Sequence, residues 1–214
     1  MKKMLMAAVA VVLIVVISVS ATFAYLTSQD TVVNTFTVGQ VDIKLDEATV
    51  DPETGKATDK PRTETGNTDV KIIPGRTIDK DPTVTVLKDS EPCYVRMKVT
   101  ISKISELKAI FGADFLPQNY VTGWDAETWV STEVIAEDAG ANTATYEFRY
   151  KEVVDARAAE KELPALFTTF TLPGDKVDNT QLATLKGLNI TVVAEAIQSE
   201  GFANADAAWA AFSA

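Results

Sequence analysis

Apolar and polar residues alternate with a period of two along several stretches of this chain. Successive side chains of a β-strand point to opposite faces, so each stretch predicts a strand with one apolar and one polar face. Strong turn formers separate the stretches, among them Pro74-Gly75 and Pro173-Gly174. Many short strands with such turns favour an antiparallel, jelly-roll-like β-sandwich over a parallel sheet. The predicted strands lie at residues 41–45, 83–86, 93–101, 146–150 and 188–196.

Helical spacing of apolar residues is confined to short segments. The expected fold is therefore all-β with a few short helices, at residues 105–111, 155–163, 179–185 and 204–212. The second segment is rich in Ala, Glu and Lys, which predicts an exposed helix. In the last segment Ala205, Ala208, Trp209 and Phe212 share one face, and this face is expected to pack on the sheets.

Residues 46–68 contain Val50 as their only large apolar side chain. A segment of this composition has nothing to bury, which predicts a flexible surface insertion. Its acidic pairs, Asp46-Glu47 and Asp51 with Glu53, could bind calcium weakly. No EF-hand spacing is present, so a solvated loop is the preferred interpretation.

The first 24 residues have the pattern of a signal peptide helix. Two lysines precede an apolar run from residue 4 to residue 19, and small residues follow that run. Cleavage after Ala24, which leaves Tyr25 as the first residue, and cleavage after Ala21 both fit this pattern, and we prefer the first. An uncleaved anchor helix is the alternative. Export is expected in either case, which predicts a secreted protein.

The composition excludes several classes of function. The 214-residue chain contains no histidine, which removes Ser-His and Cys-His couples and the usual zinc sites. We therefore predict no catalytic residue, no metal site, no cofactor and no enzymatic activity. A formal charge of −10 argues against nucleic acid as a partner. The single cysteine, Cys93, lies on the apolar face of its strand, which predicts a buried thiol.

Residues 25–38 form a further candidate strand, ahead of a single β-sandwich domain at residues 39–214. Its even positions carry four apolar side chains, interrupted by Ser28, Asp30 and Asn34, whereas its odd positions are mostly threonine. After Gly39 the apolar set moves to odd positions, which requires a bulge or kink at that glycine. Either both strands belong to one domain with Gly39 as a corner, or the first strand is placed in a neighbouring subunit. The apolar even positions are Leu26, Val32, Phe36 and Val38.

A series of motifs lies at both ends of the chain. The N-terminal motifs are Thr22-Phe23-Ala24-Tyr25-Leu26-Thr27 and Asn34-Thr35-Phe36-Thr37-Val38-Gly39-Gln40-Val41-Asp42-Ile43-Lys44-Leu45. The later motifs are Ile73-Pro74-Gly75, Lys80-Asp81-Pro82, Pro92-Cys93-Tyr94-Val95-Arg96 and Ala194-Glu195-Ala196-Ile197-Gln198-Ser199-Glu200-Gly201-Phe202. In the order and spacing of these motifs the chain resembles the TasA/camelysin family of Gram-positive exported proteins. The resemblance covers about half of the chain that follows the leader.

The resemblance implies a jelly-roll subunit that polymerises into extracellular fibres of a biofilm matrix. In such fibres the N-terminal segment of one copy completes the sheet of the next by donor-strand exchange. Tyr25, Leu26, Val32, Phe36 and Val38 would then be the donor residues, with Gly39 as the hinge between strands. The implied partners are copies of the same chain, a dedicated signal peptidase that cuts between Ala24 and Tyr25, and matrix or cell-surface components.

Two other classes of function remain open at this point. The same family includes camelysin-type metalloendopeptidases, but the HExxH zinc motif cannot be present in a chain without histidine. A cell-surface adhesin or carbohydrate-binding module could use Tyr120, Trp124 and Trp129 as a stacking platform. Aromatic residues in this pattern are more often core or hairpin residues.

Overall fold

The computed structural model describes residues 39–212, with only the backbone described for residues 133–135. The predicted signal peptide, the predicted cleavage site between Ala24 and Tyr25 and the predicted donor segment at residues 25–38 lie outside this range. Gly39, the predicted hinge, is the first described residue.

Within residues 39–212 the chain forms ten strands, three α-helices and one short 3-10 helix, Pro117–Asn119. The strands are β1 (Ile43–Asp46), β2 (Thr77–Asp79), β3 (Thr83–Val86), β4 (Cys93–Ser102), β5 (Val121–Thr122), β6 (Trp129–Asp138), β7 (Thr143–Tyr150), β8 (Lys161–Glu162), β9 (Thr169–Thr171) and β10 (Ile190–Gln198). The helices are α1 (Ile104–Phe111), α2 (Asn179–Thr184) and α3 (Ala205–Phe212).

The strands form three antiparallel sheets around one hydrophobic core. Their orders are β1-β3-β8, β10-β4-β7-β6 and β2-β9-β5. The first and third sheets are joined by backbone hydrogen bonds from Leu166 to Pro82 and from Lys80 to Thr168. The prediction of a mostly β, antiparallel fold with a few short helices is confirmed.

The central strand β4 shows why the sequence forms this sheet. Its apolar set alternates with polar residues, and every member of that set is buried in the core. The strand pairs with β10 on one side and with β7 on the other, so its backbone groups are satisfied along both edges. The buried set is Cys93, Val95, Met97, Val99 and Ile101, as the alternation predicts.

Three of the four predicted helices are present. The N-terminus of α2 is closed by a capping box, in which Asp178 accepts from the Gln181 backbone and the Gln181 side chain accepts from Asp178. Asn204 caps α3 by accepting a hydrogen bond from the Ala207 backbone. Ala208 and Trp209 of α3 are buried, in agreement with the predicted packing face. Two further residues of that face are less covered, with Ala205 half-buried and Phe212 exposed.

The predicted helix at residues 155–163 is wrong. Ala156 is fully buried in an irregular segment, and its carbonyl accepts a hydrogen bond from Asp89. The following residues form β8, and the Leu163 backbone donates to Val84 of β3. Burial of Ala156 and Leu163 and pairing with β3 therefore override the helix propensity of the Ala, Glu and Lys residues between them.

The prediction that residues 46–68 have nothing to bury is also wrong. Asp46, Glu47 and Val50 are buried. Arg62 returns to the sheet and bridges Asp46 and Asp81, at 2.6 and 2.7 Å. Paired charges and hydrogen bonds replace apolar contacts in fixing this segment, and a search for apolar residues alone does not detect them.

Candidate strand-binding seam

Strands β1 and β10 each end a sheet and contact each other. Among the described residues, β1 pairs only with β3 and β10 pairs only with β4. An edge strand presents a row of unpaired backbone N–H and C=O groups, which can bind another strand. We call the region between these two free edges the seam.

The core-facing side chains of β10 are less buried than their partners on β4. In the register of the pair, Ile190 lies opposite Ile101, and Val192 lies opposite Val99. The β4 residues are buried, whereas the β10 residues are half-buried. The core-facing side chains of β4 are therefore covered, whereas those of the edge strand β10 are only partly covered.

Strand β1 repeats this relation on the other side of the seam. Ile43 lies opposite Val86, and Leu45 lies opposite Val84. Both valines of β3 are fully buried, and both residues of β1 are half-buried. The seam is therefore an apolar strip bounded by two free strand edges.

Cavities lie at both ends of the seam. The large cavity, of about 660 Å³, includes Glu47, which follows β1, and Ile190, which begins β10. The small cavity, of about 300 Å³, includes Val41, which precedes β1, and Ala196, near the end of β10. β1 and β10 thus run in opposite directions along the seam. Because a strand rises about 3.3 Å per residue, the nine residues of β10 give the seam a length of roughly 30 Å.

The other sheet edges offer less to a pairing strand. β2 contains three residues, and β5 and β8 contain two residues each. β6 is long, but its pairing with β7 has register shifts between Ser131 and Val134 and between Val134 and Ala136. Bulges of this kind interrupt an edge and discourage pairing with another strand. In the described part of the chain, β10 is the longest regular edge.

A buried charge network holds β10 to the sheet. Glu195 of β10 accepts hydrogen bonds from Arg96 and Lys98 of β4, at 2.6 and 2.9 Å. Burial alone would raise the pKa of Glu195, but these two cations outweigh it and hold the pKa below the usual value. Arg96 also pairs with Glu147 of β7 at 2.9 Å. The network fixes three neighbouring strands on the face opposite the core.

Helix α3 covers this network. The Trp209 ring lies 4.2 Å from the Arg96 guanidinium, and the Phe212 ring lies 5.2 Å from it. Asp206 of the same helix pairs with Arg149 at 2.5 Å. α3 therefore braces the outer face of the sheet beside the seam, and Phe212 also lines the small cavity.

Gly39 lies at the small cavity, where the described chain enters the seam. A Cβ at this position would come within 2.8 Å of Cγ of Glu91. The next residue, Gln40, accepts a backbone hydrogen bond from Glu91 at 2.9 Å. Close approach to Glu91 is thus one reason for glycine here, and the predicted kink with the preceding strand stays a prediction.

The aromatic residues proposed as a stacking platform belong to the core. Trp129 is fully buried and donates to the Pro164 carbonyl at 2.9 Å. Trp124 is half-buried and donates to the Trp129 carbonyl. Tyr120 is half-buried and stacks on Phe115. These contacts agree with the preferred interpretation of the three aromatic residues as core or hairpin residues, and not with an exposed stacking platform.

The acidic pairs considered for calcium already have partners. Asp46 pairs with Lys44 and Arg62, and Glu47 pairs with Lys80 at 2.5 Å. Asp51 caps its own turn by accepting from the Thr54 backbone and hydroxyl. Over residues 39–212 no three or more His, Cys, Asp or Glu side chains are grouped so that they could hold a metal ion.

Cys93 is fully buried on the core face of β4, as predicted. Burial raises the pKa of its thiol to about 11. A thiol with this pKa is almost entirely protonated at neutral pH, so it is a packing residue and not a nucleophile.

No protein family model matches the chain, and neither a curated protein nor a solved structure shows significant similarity to it. Across residues 39–212, none of the helices has the length and apolar character needed to cross a membrane.

The sequence reveals the residues of the seam but not their arrangement. The alternation at residues 188–196 marks Val192, Ala194 and Ala196 as core-facing, and the structure agrees. Whether a strand ends its sheet depends on long-range pairing, which this pattern does not encode. The cavity residues Val70 and Ile72 were missed, although their spacing of two is itself a strand-like signal.

Proposed function

We propose that this chain is a secreted structural subunit that polymerises into extracellular, biofilm-matrix fibres by donor-strand exchange. The domain is proposed to be a jelly-roll-like sandwich that lacks one strand, and β1 and β10, which contact each other, would move apart to admit it. The observation that carries the proposal is the seam, where the apolar residues of two edge strands are half-buried and their neighbours on β3 and β4 are fully buried. The resemblance of both chain ends to TasA/camelysin proteins supports it.

The proposed donor is the segment at residues 25–38 of a second copy. An extended segment added to a free edge gains backbone hydrogen bonds, and its alternate side chains fill the apolar strip. Burial of Leu26, Val32, Phe36 and Val38 contributes ~1.5 to 3 kcal/mol each, or ~6 to 12 kcal/mol before the cost of ordering the segment. This gross energy is large enough to support a stable contact.

The side chains of β10 suit a donor with large residues. Two of its core-facing positions, Ala194 and Ala196, are small and half-buried. Small side chains at an edge leave space for larger ones on the incoming strand, such as Phe36. The contact is head-to-tail and does not close on itself, so repetition produces a filament.

Removal of the leader would start assembly. Cleavage between Ala24 and Tyr25 would release the donor segment from the apolar run at residues 4–19. Only a free N-terminus can be inserted along the edge of another copy. Export, cleavage and polymerisation would thus follow one another in a fixed order.

The alternative occupant of the seam is the chain's own N-terminal segment. Gly39 lies at one end of the seam, so residues 25–38 of the same copy could fold back along it. The product would be a monomer with a closed core. Filament formation and its dependence on protein concentration separate this outcome from exchange between copies.

The test compares the chain that starts at Tyr25 with a chain that starts at Gly39. We expect filaments in electron micrographs of the first and none of the second, with circular dichroism as a control for folding. The shorter chain keeps the seam but lacks the donor, so added in excess it should cap growing ends and shorten the filaments. Identical filaments from both chains would refute donor-strand exchange through this segment.

A further inference from the structure

We propose that the large cavity is an anchor site for the first two residues of the processed chain, Tyr25 and Leu26, supplied by a second copy. This inference rests on the proposed function, because it assumes that residues 25–38 occupy the seam. It adds a separate binding site at the end of the seam and fixes the direction in which the donor strand runs.

The large cavity is lined by buried or half-buried apolar side chains, which we call its floor, and by polar side chains, which we call its rim. Its volume of about 660 Å³ lies in the range of cavities that enclose a ligand. The rim includes Asn67, Lys186 and Asn189, which come from the segment after β1 and from the chain between α2 and β10. The floor includes Val70, Ile72, Ile78, Phe170, Leu185 and Leu188.

Three of the five charged residues of the cavity wall, Glu47, Asp79 and Lys80, are paired. Glu47 pairs with Lys80 at 2.5 Å and accepts a hydrogen bond from the Asn67 side chain at 2.9 Å. Asp79 pairs with Lys56 at 3.0 Å. The two remaining charged residues, Asp69 and Lys186, have opposite signs, so the cavity suits an occupant with an apolar ring and a polar group better than a small ion.

The length of the donor segment matches the seam and the cavity together. Val32 and Val38 are separated by six residue steps, as are Ile190 and Ala196 of β10. A donor that runs parallel to β10 places Val32 beside Ile190, and Val38 beside Ala196. Leu26 lies six steps before Val32, up to about 20 Å further along in an extended chain. It then reaches beyond the start of β10, towards the large cavity.

The opposite direction is less favourable. A donor antiparallel to β10 would carry Tyr25 and Leu26 beyond Gln198, towards the small cavity. That cavity has about 300 Å³, less than half the volume of the large one. Two large side chains therefore fit the large cavity better.

Tyrosine suits a site of this kind. Its ring is apolar, and its hydroxyl needs a hydrogen-bond partner when the ring is buried. With the ring on the floor, Asn189 and Lys186 would be the candidate hydrogen-bond partners of the Tyr25 hydroxyl. The polar residues between Leu26 and Val32 then act as a spacer between the anchor and the strand in the seam.

The test uses the processed chain and a short bifunctional reagent that joins two thiols. One copy carries Leu26→Cys and another carries Leu188→Cys, and the two are mixed before assembly. The matched control mixes Phe36→Cys with Ala194→Cys, a pair that reports only on occupation of the seam. The native Cys93 is fully buried, so it does not compete for the reagent.

Filaments with cross-linked dimers in both mixtures would support the anchor site. Filaments with cross-links only between positions 36 and 194 would overturn the anchor site and leave the proposed function standing. Absence of filaments and of both cross-links would overturn the proposed function, and the anchor site with it. A Leu26→Cys, Leu188→Cys double variant that cross-links only within a monomer would overturn the assignment to a second copy.

A second variant tests the cavity without a cross-link. Val70 is half-buried and lines the large cavity, so Val70→Trp should fill part of it. Val153→Trp is the control, because it adds the same ring at an exposed site. We expect Val70→Trp to raise the protein concentration needed for assembly about tenfold or more, because anchor burial is lost. An equal effect of the two variants would overturn the anchor site.

Discussion

Val192 of β10 lies directly opposite Val99 of β4, yet Val99 is 2% exposed and Val192 is only half-buried. The two residues are identical, face the same core and belong to neighbouring strands. Their difference in burial therefore comes from what lies beyond them. Val99 has a strand on each side, whereas in the described residues Val192 has a strand on one side only.

A charge at Val192 should block assembly. Val192→Asp places a carboxylate on the apolar strip, where an added strand would have to desolvate it. Val193→Asp is the matched control. Val193 is the same residue type and the next residue in β10, but it points to the opposite face and is 46% exposed. Sedimentation should show loss of polymer only for Val192→Asp, with both variants folded by circular dichroism. Equal polymerisation of the two variants would count against the seam.

The buried charge network should make a large contribution to stability. Arg96→Ala leaves Glu147 without one of its partners and removes the cation beneath Trp209. Removal of one member of a buried pair typically costs about 3–5 kcal/mol, and we expect the low end because Arg149 and Lys98 still neutralise the two carboxylates. Urea denaturation measures this change.

The exposed pair of Arg157 with Asp155 provides the control for Arg96. Arg157→Ala should change the free energy of unfolding very little, because exposed pairs are screened by solvent. A loss for Arg96→Ala as small as that for Arg157→Ala would mean that the network does not hold β10 and α3 in place.

The sequence predicts local structure well where one periodicity dominates, as in β4 and α1. It fails at residues 155–163, because pairing of β8 with β3 and burial of Ala156 are long-range effects that local propensity does not contain. The sequence predicts which apolar residues line the seam, but it does not predict that they form a site. The seam exists because β1 and β10 end their sheets. Which strands end a sheet is decided by pairing between residues distant in sequence, such as Ile190 with Ile101.

Stability should fall in acid because of Asp46. Burial raises its pKa, but hydrogen bonds from Arg62 and Lys44 outweigh burial, so the pKa lies below its ordinary value of 3.8. A carboxyl with a lowered pKa stabilises the fold above its unfolded pKa, and this contribution is lost as the pH falls through the folded pKa. Urea midpoints should therefore decrease below about pH 4.

Asp46→Asn tests the assignment of this acid response. The variant should be less stable at neutral pH, and its midpoint should decline less steeply between about pH 5 and pH 2. Glu195 and Asp79 also have lowered pKa values, so part of the decline should remain. An unchanged slope in Asp46→Asn would show that the residue does not contribute.

The thiol of Cys93 should be unreactive in the folded protein. Its pKa of about 11 leaves about one part in a thousand as thiolate at pH 8, and the side chain is fully buried. Alkylation followed by mass spectrometry should detect modification in urea and almost none in buffer. Rapid modification in buffer would indicate that β4 opens on the timescale of the reaction.

Salt should accelerate assembly if charge repulsion limits it. The chain has a formal charge of −10, and removal of the leader with Lys2 and Lys3 makes it −12. Copies of equal charge must approach closely, and the Debye length falls from about 10 Å at 0.1 M to about 3 Å at 1 M ionic strength. Light scattering should therefore show faster growth at high salt.

Mildly acid pH should have the same effect as salt, since partial protonation of carboxylates reduces the net charge. The acceleration should be limited to mildly acid pH, because the fold itself becomes less stable at lower pH. Asp46 ceases to stabilise the fold as its carboxyl becomes protonated. Growth should thus be fastest at mildly acid pH and should slow again at lower pH, where the folded subunit is lost. Growth rates that do not respond to salt or to pH would exclude assembly limited by repulsion.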